Sequence, residues 1–204
     1  MSKVIMHDFF QALDGFEDRD YLFFKIKYEI APTLAGIKPS SLMTFVNHKR
    51  PLLDLWDSHK EEIAKELDIR YYELRRKEDR VIVLFYQDEA LANCLALKKN
   101  RIFLQKQGYK KLQGIEDGLC LLKKRFEEEC PHELGIFLGY PVEDVTAFIE
   151  SKGAPCLACK YWKVYQDVEN ALKTFEAYDQ ERHKVIETVL SLQQKNRKRQ
   201  QKSA

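Results

Sequence analysis

The chain has 204 residues, 45% of them hydrophobic, enough to bury a substantial core within one domain. Its net charge of +2 is set by Lys195, Arg197, Lys198, Arg199 and Lys202, which follow the last acid, Glu187; without them the body is mildly acidic, which excludes a nucleic-acid face spread over the fold and leaves such binding to the tail alone. No window approaches the roughly 20 apolar residues of a membrane span, the opening residues form no signal-peptide stretch, and the five cysteines are odd in number and scattered, so the sequence predicts a cytoplasmic protein with reduced thiols.

In chain order, Phe9, Phe10 and Leu13, then Leu22, Phe23, Ile26 and Ile30, recur at helical spacing on either side of Asp14-Gly15 and predict two opening helices. Gly36 and Pro39 punctuate the next segment, after which Ser41 to Val46 has the short, β-rich character of a strand. Pro51, followed by Leu52, Leu53, Leu55, Trp56, Ile63 and Leu67, opens an amphipathic helix of about four turns. Tyr71 to Arg75 and Val81 to Tyr86 flank the charged turn Lys77-Glu78-Asp79 and predict a hairpin. Asp88 then caps a helix through Leu97, and two more helical patterns follow, near Ile102 to Gln107 and from Glu116 to Glu128, with Gly108 and Gly114 between them.

The run from Leu134 to Tyr140 is apolar on both alternating sets, which suits a buried strand or a short buried helix; its length and its glycines favour the strand. Pro141 begins a helix carrying Val145, Phe148 and Ile149 and ended by Gly153. Tyr161 to Tyr165 predicts another strand, and Asp167 caps a long final helix through Ala171, Leu172, Phe175, Tyr178, Ile186, Val189 and Leu190. The expected architecture is α+β: a single domain over residues 1–194, with a mixed sheet that includes a β-hairpin, flanking helices and a long C-terminal helix. Residues 195–204 form a basic tail expected to be frayed or disordered.

Three stretches, Ala31-Pro-Thr-Leu-Ala-Gly-Ile-Lys-Pro39, Pro131 to Asp144 with its His-Glu-Leu-Gly-Ile-Phe-Leu-Gly-Tyr-Pro run, and Tyr161-Trp-Lys-Val-Tyr165, resemble a family of proteins from anaerobic Firmicutes, domain of unknown function 3793. The resemblance spans about residues 29–178, and the family carries no assigned reaction. It implies a soluble, cytoplasmic protein of an anaerobe in a redox or iron-related setting, with a flavodoxin-like redox protein as partner. Two positions depart from the family's pattern: Ile30 stands where many relatives have a cysteine, and the region after Tyr178 lacks another. A site built on those thiols would be incomplete here.

Among candidate functional groups, His132 and Glu133 set an imidazole beside a carboxylate, a pair suited to general-base work or metal ligation. On a strand, however, the two would face opposite sides. The competing role is structural, with His132 bonded to nearby backbone and Glu133 paired with a lysine. Cys156 and Cys159 have the spacing of a zinc knuckle or dithiol, but only Cys130 and His132 offer a second pair, and their one-residue separation chelates poorly. Redox use fits badly because this pair precedes a strand, whereas a reactive dithiol opens a helix. Ordinary reduced thiols are the simpler expectation.

Alternation would place Tyr161, Lys163 and Tyr165 on one face of their strand, as an aromatic wall with a cation for a flat ligand or as a solvated sheet face, and Trp162 and Val164 in the core. Lys38 with Ser40 and Ser41 could hold an anion, yet the segment reads as a surface turn. Glu143 and Asp144, in the first turn after Pro141, repel a phosphate from that helix end. No phosphate loop, dinucleotide fingerprint, nucleophile elbow or zinc-protease helix is present, so no cofactor is evident from motifs.

These residues suggest a ligand-binding or accessory protein, which the resemblance places in anaerobic redox or iron physiology, its site formed where the Pro131 to Asp144 segment meets the Tyr161 to Tyr165 strand. His132, Glu133, Tyr140, Tyr161, Lys163 and Tyr165 are its candidate residues. The alternatives are a small-molecule enzyme using His132 as acid or base with Lys163 stabilising an anion, and a structural interaction protein with no pocket. The lack of a catalytic motif weighs against the enzyme.

Overall fold

Three strands that carry apolar side chains on both faces need cover on both sides, and this requirement sets the architecture. The computed structural model describes residues 3–110, 112–151 and 153–202. Strands β1 (Ser40–Val46), β2 (Arg70–Lys77) and β3 (Arg80–Tyr86) form a sheet in the order β1-β3-β2. Both pairings are antiparallel, with Thr44 and Arg75 each opposite Ile82, so the expected mixed sheet is in fact an antiparallel one. β1 and β2 do run in the same direction, but β3 lies between them and takes the hydrogen bonds of both. The hairpin predicted at Lys77-Glu78-Asp79 joins β2 to β3.

One face of the sheet presents Met43, Phe45, Val81, Val83 and Phe85 to α1 (Lys3–Asp14), α2 (Asp18–Glu29) and α4 (Leu52–Glu66). Phe45 stacks on Trp56 at 4.7 Å between centroids, and the indole N–H of Trp56 donates to Glu73 at 3.0 Å. The other face presents Leu74, Leu84 and Tyr86 to α5 (Asp88–Ala96), α6 (Lys98–Lys106), α7 (Ile115–Phe126) and α9 (Val142–Glu150). The single turn α3 (Ala31–Leu34) leads into β1. A two-stranded hairpin, β4 (Ala158–Cys159) with β5 (Lys163–Val164), buries Trp162 and Val164 against Phe175 and Tyr178 of α10 (Val168–Lys202) in a third cluster. Asp167 caps α10, its carboxylate accepting from the Asn170 N–H at 3.3 Å. The basic segment from Lys195 continues α10 as far as Lys202, and the last two residues lie outside the described ones.

The run from Leu134 is a helical turn, α8 (Leu134–Phe137), and not the favoured strand. The Leu138 N–H returns to the Leu134 carbonyl at 2.9 Å, the Gly139 N–H to Ile136 at 3.0 Å, and the Tyr140 N–H to Gly135 at 2.8 Å. This is the bonding pattern of a helix closed by a left-handed residue. Gly139, with φ +76°, supplies it. The glycine that pointed to a strand is therefore the terminator of a helix.

Gly139 also presses against the loop before β1. A Cβ built there would meet Pro39 Cδ at 2.5 Å and Cγ at 2.8 Å, and beside this contact the Ser40 hydroxyl donates to the Phe137 carbonyl at 2.7 Å. Both the backbone conformation and the space require glycine. Gly139→Ala should lower unfolding stability by at least about 2 kcal/mol in urea titrations. Gly153→Ala, where φ is +96° but nothing lies within 4 Å, should cost only the smaller backbone strain.

Candidate functional site

Gly135 lets α8 pack directly on α9, since a Cβ there would meet Val145 Cγ2 at 2.7 Å. Beside this junction and the β4–β5 hairpin lies a cavity of about 380 Å³. Its walls are mostly apolar: Pro131, Leu134 and Leu138 around α8, Val145 and Phe148 from α9, and the Tyr140 and Trp162 rings, which stack at 5.2 Å. Polar groups enter from Cys130, His132, Asp144 and Lys163. The His132 ring meets Phe148 edge-on at 5.3 Å, and Lys163 Nζ lies 5.3 Å from the centroid of the same ring. His132 and Lys163 are exposed, so they stand on the solvent side of an apolar hollow.

Asp144 holds the hairpin onto α9. Only 3% exposed, its carboxylate accepts from the Trp162 indole N–H at 2.8 Å, the Tyr165 N–H at 2.8 Å and the Gln166 N–H at 3.1 Å. Three donors satisfy the buried charge, and in doing so they fix Trp162 against the cavity. The sequence placed Asp144 correctly in a first helical turn but gave no sign of these partners, which lie some twenty residues away.

Glu133 turns away from His132 and from the cavity. It is 2% exposed, pairs with the Arg125 guanidinium and accepts from the Tyr109 hydroxyl at 3.2 Å. Burial, then the neighbouring carboxylate, push the Tyr109 phenol well above its usual range. The two side chains separate as a strand would have separated them, but through the helical turn that leads into α8.

The phenols of the Tyr161 to Tyr165 segment form no shared platform. Only Lys163 and Val164 are paired as strand, so alternation does not extend to their neighbours. Tyr161 packs on Phe175 and Tyr178 and donates to Asp179 at 2.8 Å. The Tyr165 hydroxyl lies 3.3 Å from that of Ser151. Lys163 alone of the three lines the cavity, while Trp162, correctly expected in the core, also forms part of its wall. Cys130, Cys156 and Cys159 are free thiols, and among the described residues no three His, Cys, Asp or Glu side chains gather to hold a metal. Among the same residues no helix is long and apolar enough to cross a membrane.

Lys38, expected on a surface turn, is buried, with 8% exposure. Gly36 takes a φ of +72°, and the Ile37 and Lys38 N–H groups both donate to the Pro32 carbonyl, at 3.1 and 3.2 Å. Ile37 is left outside while Lys38 folds inward. Its Nζ lies 5.8 Å from the Tyr140 centroid and 5.9 Å from that of Tyr178. Burial first, and Arg182 second, lower its pKa from 10.5 to about 8. The segment's Lys-Pro-Ser-Ser composition resembles any polar turn, so the sequence holds no signal for this inward placement.

The family model described as protein of unknown function (DUF3793) matches residues 26–197. No curated protein and no solved structure matches the chain.

Asp144→Asn keeps one carbonyl oxygen but sets an amide N–H₂ against a donor, so it should destabilise the protein by about 1–3 kcal/mol. The fluorescence of Trp162, one of only two tryptophans, should shift to the red as the hairpin loosens. For Lys38, the unfolded chain keeps its proton to about 10.5 whereas the folded chain releases it near 8, so between these values the unfolded state binds more protons and stability rises with pH. Lys38→Met should therefore exceed the parent in stability by on the order of 3 kcal/mol at pH 7, with the gap closing towards pH 10.5 in urea titrations at the two ends of the range.

Proposed function

We propose that the chain, which belongs to the DUF3793 family of proteins of unknown function, is a small-molecule binding protein whose cavity takes a flat, largely apolar compound of one or two rings bearing an anionic group. The observation that carries this reading is a single apolar hollow with His132 and Lys163 resting on the same Phe148 ring at its solvent side. A volume of about 380 Å³ falls at the small end of ligand pockets, roughly 300–1,000 Å³. Tyr140, Phe148 and Trp162 offer ring surfaces, Lys163 a positive charge and His132 a hydrogen bond. The one carboxylate in the lining, Asp144, is occupied by three N–H donors, which tempers its repulsion of an anion.

As a further part of this proposal, such a compound would serve a redox or iron-related physiology alongside a flavodoxin-like partner. The cavity's own residues support only the ring and the anion, and the proposal stands on those. Because His132 and Lys163 meet at one ring, the same arrangement also suits acid–base chemistry at His132 with Lys163 stabilising the anion that develops. Turnover of a bound compound would distinguish that reading from simple binding.

Titration with 2-naphthoate, followed through Trp162 fluorescence, tests the binding reading. The carboxylate should bind more tightly than 2-naphthalenemethanol, and Lys163→Met should remove about tenfold of that preference. Phe148→Ala should weaken both ligands. Equal binding of acid and alcohol, or binding unaffected by Phe148→Ala, would overturn the assignment.

A further inference from the structure

Lys38 does not line the cavity, and nothing proposed above uses it. Its surroundings are unusual for a buried cation. The ammonium lies against the Tyr140 and Tyr178 rings, and it has no hydrogen-bond or ion-pair partner among the described residues. A buried lysine is ordinarily matched to a carboxylate, because an unpaired charge in a poorly solvated site is expensive. Here the charge it feels is a second cation, Arg182, one helical turn beyond Tyr178 on α10.

Arg182 is incompletely satisfied as well. Its guanidinium lies between the Tyr28 and Tyr161 rings, 5.2 and 5.1 Å from their centroids. It donates to the Glu29 carbonyl at 3.2 Å and reaches the Glu29 carboxylate at 3.4 Å, but its buried Nε has no acceptor. The other titratable groups at Lys38 are phenols and a thiol. Burial raises Tyr140 to about 12 and Tyr178 beyond the usual phenol range. Cys94 of α5, near Tyr178, is raised by its own burial. All three are neutral at physiological pH, so none replaces the missing carboxylate.

Around Lys38 the setting is aromatic and holds no carboxylate, and the neighbouring Arg182 cation, though Glu29 engages one of its terminal nitrogens, keeps a buried Nε without an acceptor. Repulsion and burial favour loss of the lysine's proton and leave a donor open beside it. We propose that Lys38 is an amine nucleophile for a small carboxylated carbonyl compound, an aldehyde or a 2-oxo acid, whose carboxylate is held by Arg182. The nitrogen lone pair adds to the carbonyl carbon, and a proton passes from nitrogen to oxygen to give a carbinolamine. Loss of water, which carries off the second nitrogen proton, leaves a C=N bond. The step consumes no oxidant or reductant.

With a pKa of about 8, Lys38 holds roughly a hundred-fold more free amine at pH 8 than a surface lysine near 10.4. The proposal is independent of the cavity's occupant. Glyoxylate is the probe: the folded protein is incubated at pH 8 with cyanoborohydride, which traps the imine as a carboxymethyl amine, and the modified lysine is located by peptide mass. Lys38 should be labelled at least about tenfold faster than any other lysine, with a rate that rises through pH 8 and a signal absent from Lys38→Arg. Glyoxylate should outpace acetaldehyde, and Arg182→Gln should abolish that preference; if this variant misfolds, the comparison on the parent protein still decides. Labelling spread evenly over surface lysines, or an unlabelled Lys38 in folded protein, overturns the nucleophile. Equal rates for the two aldehydes overturn the role of Arg182.

Discussion

The contact of Gly139 with Pro39 joins segments a hundred residues apart in the chain, and both functional regions depend on it. Because glycine alone fits there, the end of α8 approaches the loop before β1 more closely than any side chain would permit. The bond from the Ser40 hydroxyl to the Phe137 carbonyl fixes the register of that approach. Tyr140 follows at once. One face of its ring stacks on Trp162 beside the cavity, and the same ring receives Lys38. The three stretches that suggest the family from sequence thus converge on one tyrosine, although the chain order keeps them far apart.

Three buried charges in this region differ in how they are satisfied, and the difference separates scaffold from candidate chemistry. Glu133 has a guanidinium and a phenol, and Asp144 has three N–H donors. Such groups are expensive to disrupt and contribute chiefly to holding elements together. Lys38 has neither an anion nor an acceptor. An ionisable group left in that condition is a stronger pointer to function than a satisfied one, because the two ring contacts leave the cost of burying its charge uncompensated by any anion.

Strong periodicity made most of the framework legible in the sequence. The two opening helices, the hairpin around Glu78, the strand ending at Val46 and the long last helix all follow from apolar spacing and turn residues, and the core placement of Trp162 and Val164 follows from alternation. The Leu134 to Tyr140 run resisted, because an apolar stretch this short has the same composition as a strand or a helical turn, and the distinction rests on the φ of Gly139. Alternation also failed for Tyr161 and Tyr165, where regular pairing stops after two residues. Of the candidate residues, His132, Tyr140 and Lys163 share the cavity lining, while Glu133, Tyr161 and Tyr165 hold other parts of the fold in place. Lys38, Asp144 and Arg182 owe their situation to partners distant in sequence, which no local pattern encodes.

The length of α10 has a mechanical consequence. Its 35 residues extend about 50 Å at 1.5 Å per residue. Phe175 and Tyr178 near its start belong to the cluster around Trp162, whereas Val185, Ile186 and Val189 are embedded among α1, α2 and the first sheet face. A continuous helix transmits rotation far better than a loop does. Any repacking around the β4–β5 hairpin that turned this rod about its axis would be felt by the opening helices at its far end, which makes the amino-terminal third of the chain a remote gauge of what happens beside Tyr140.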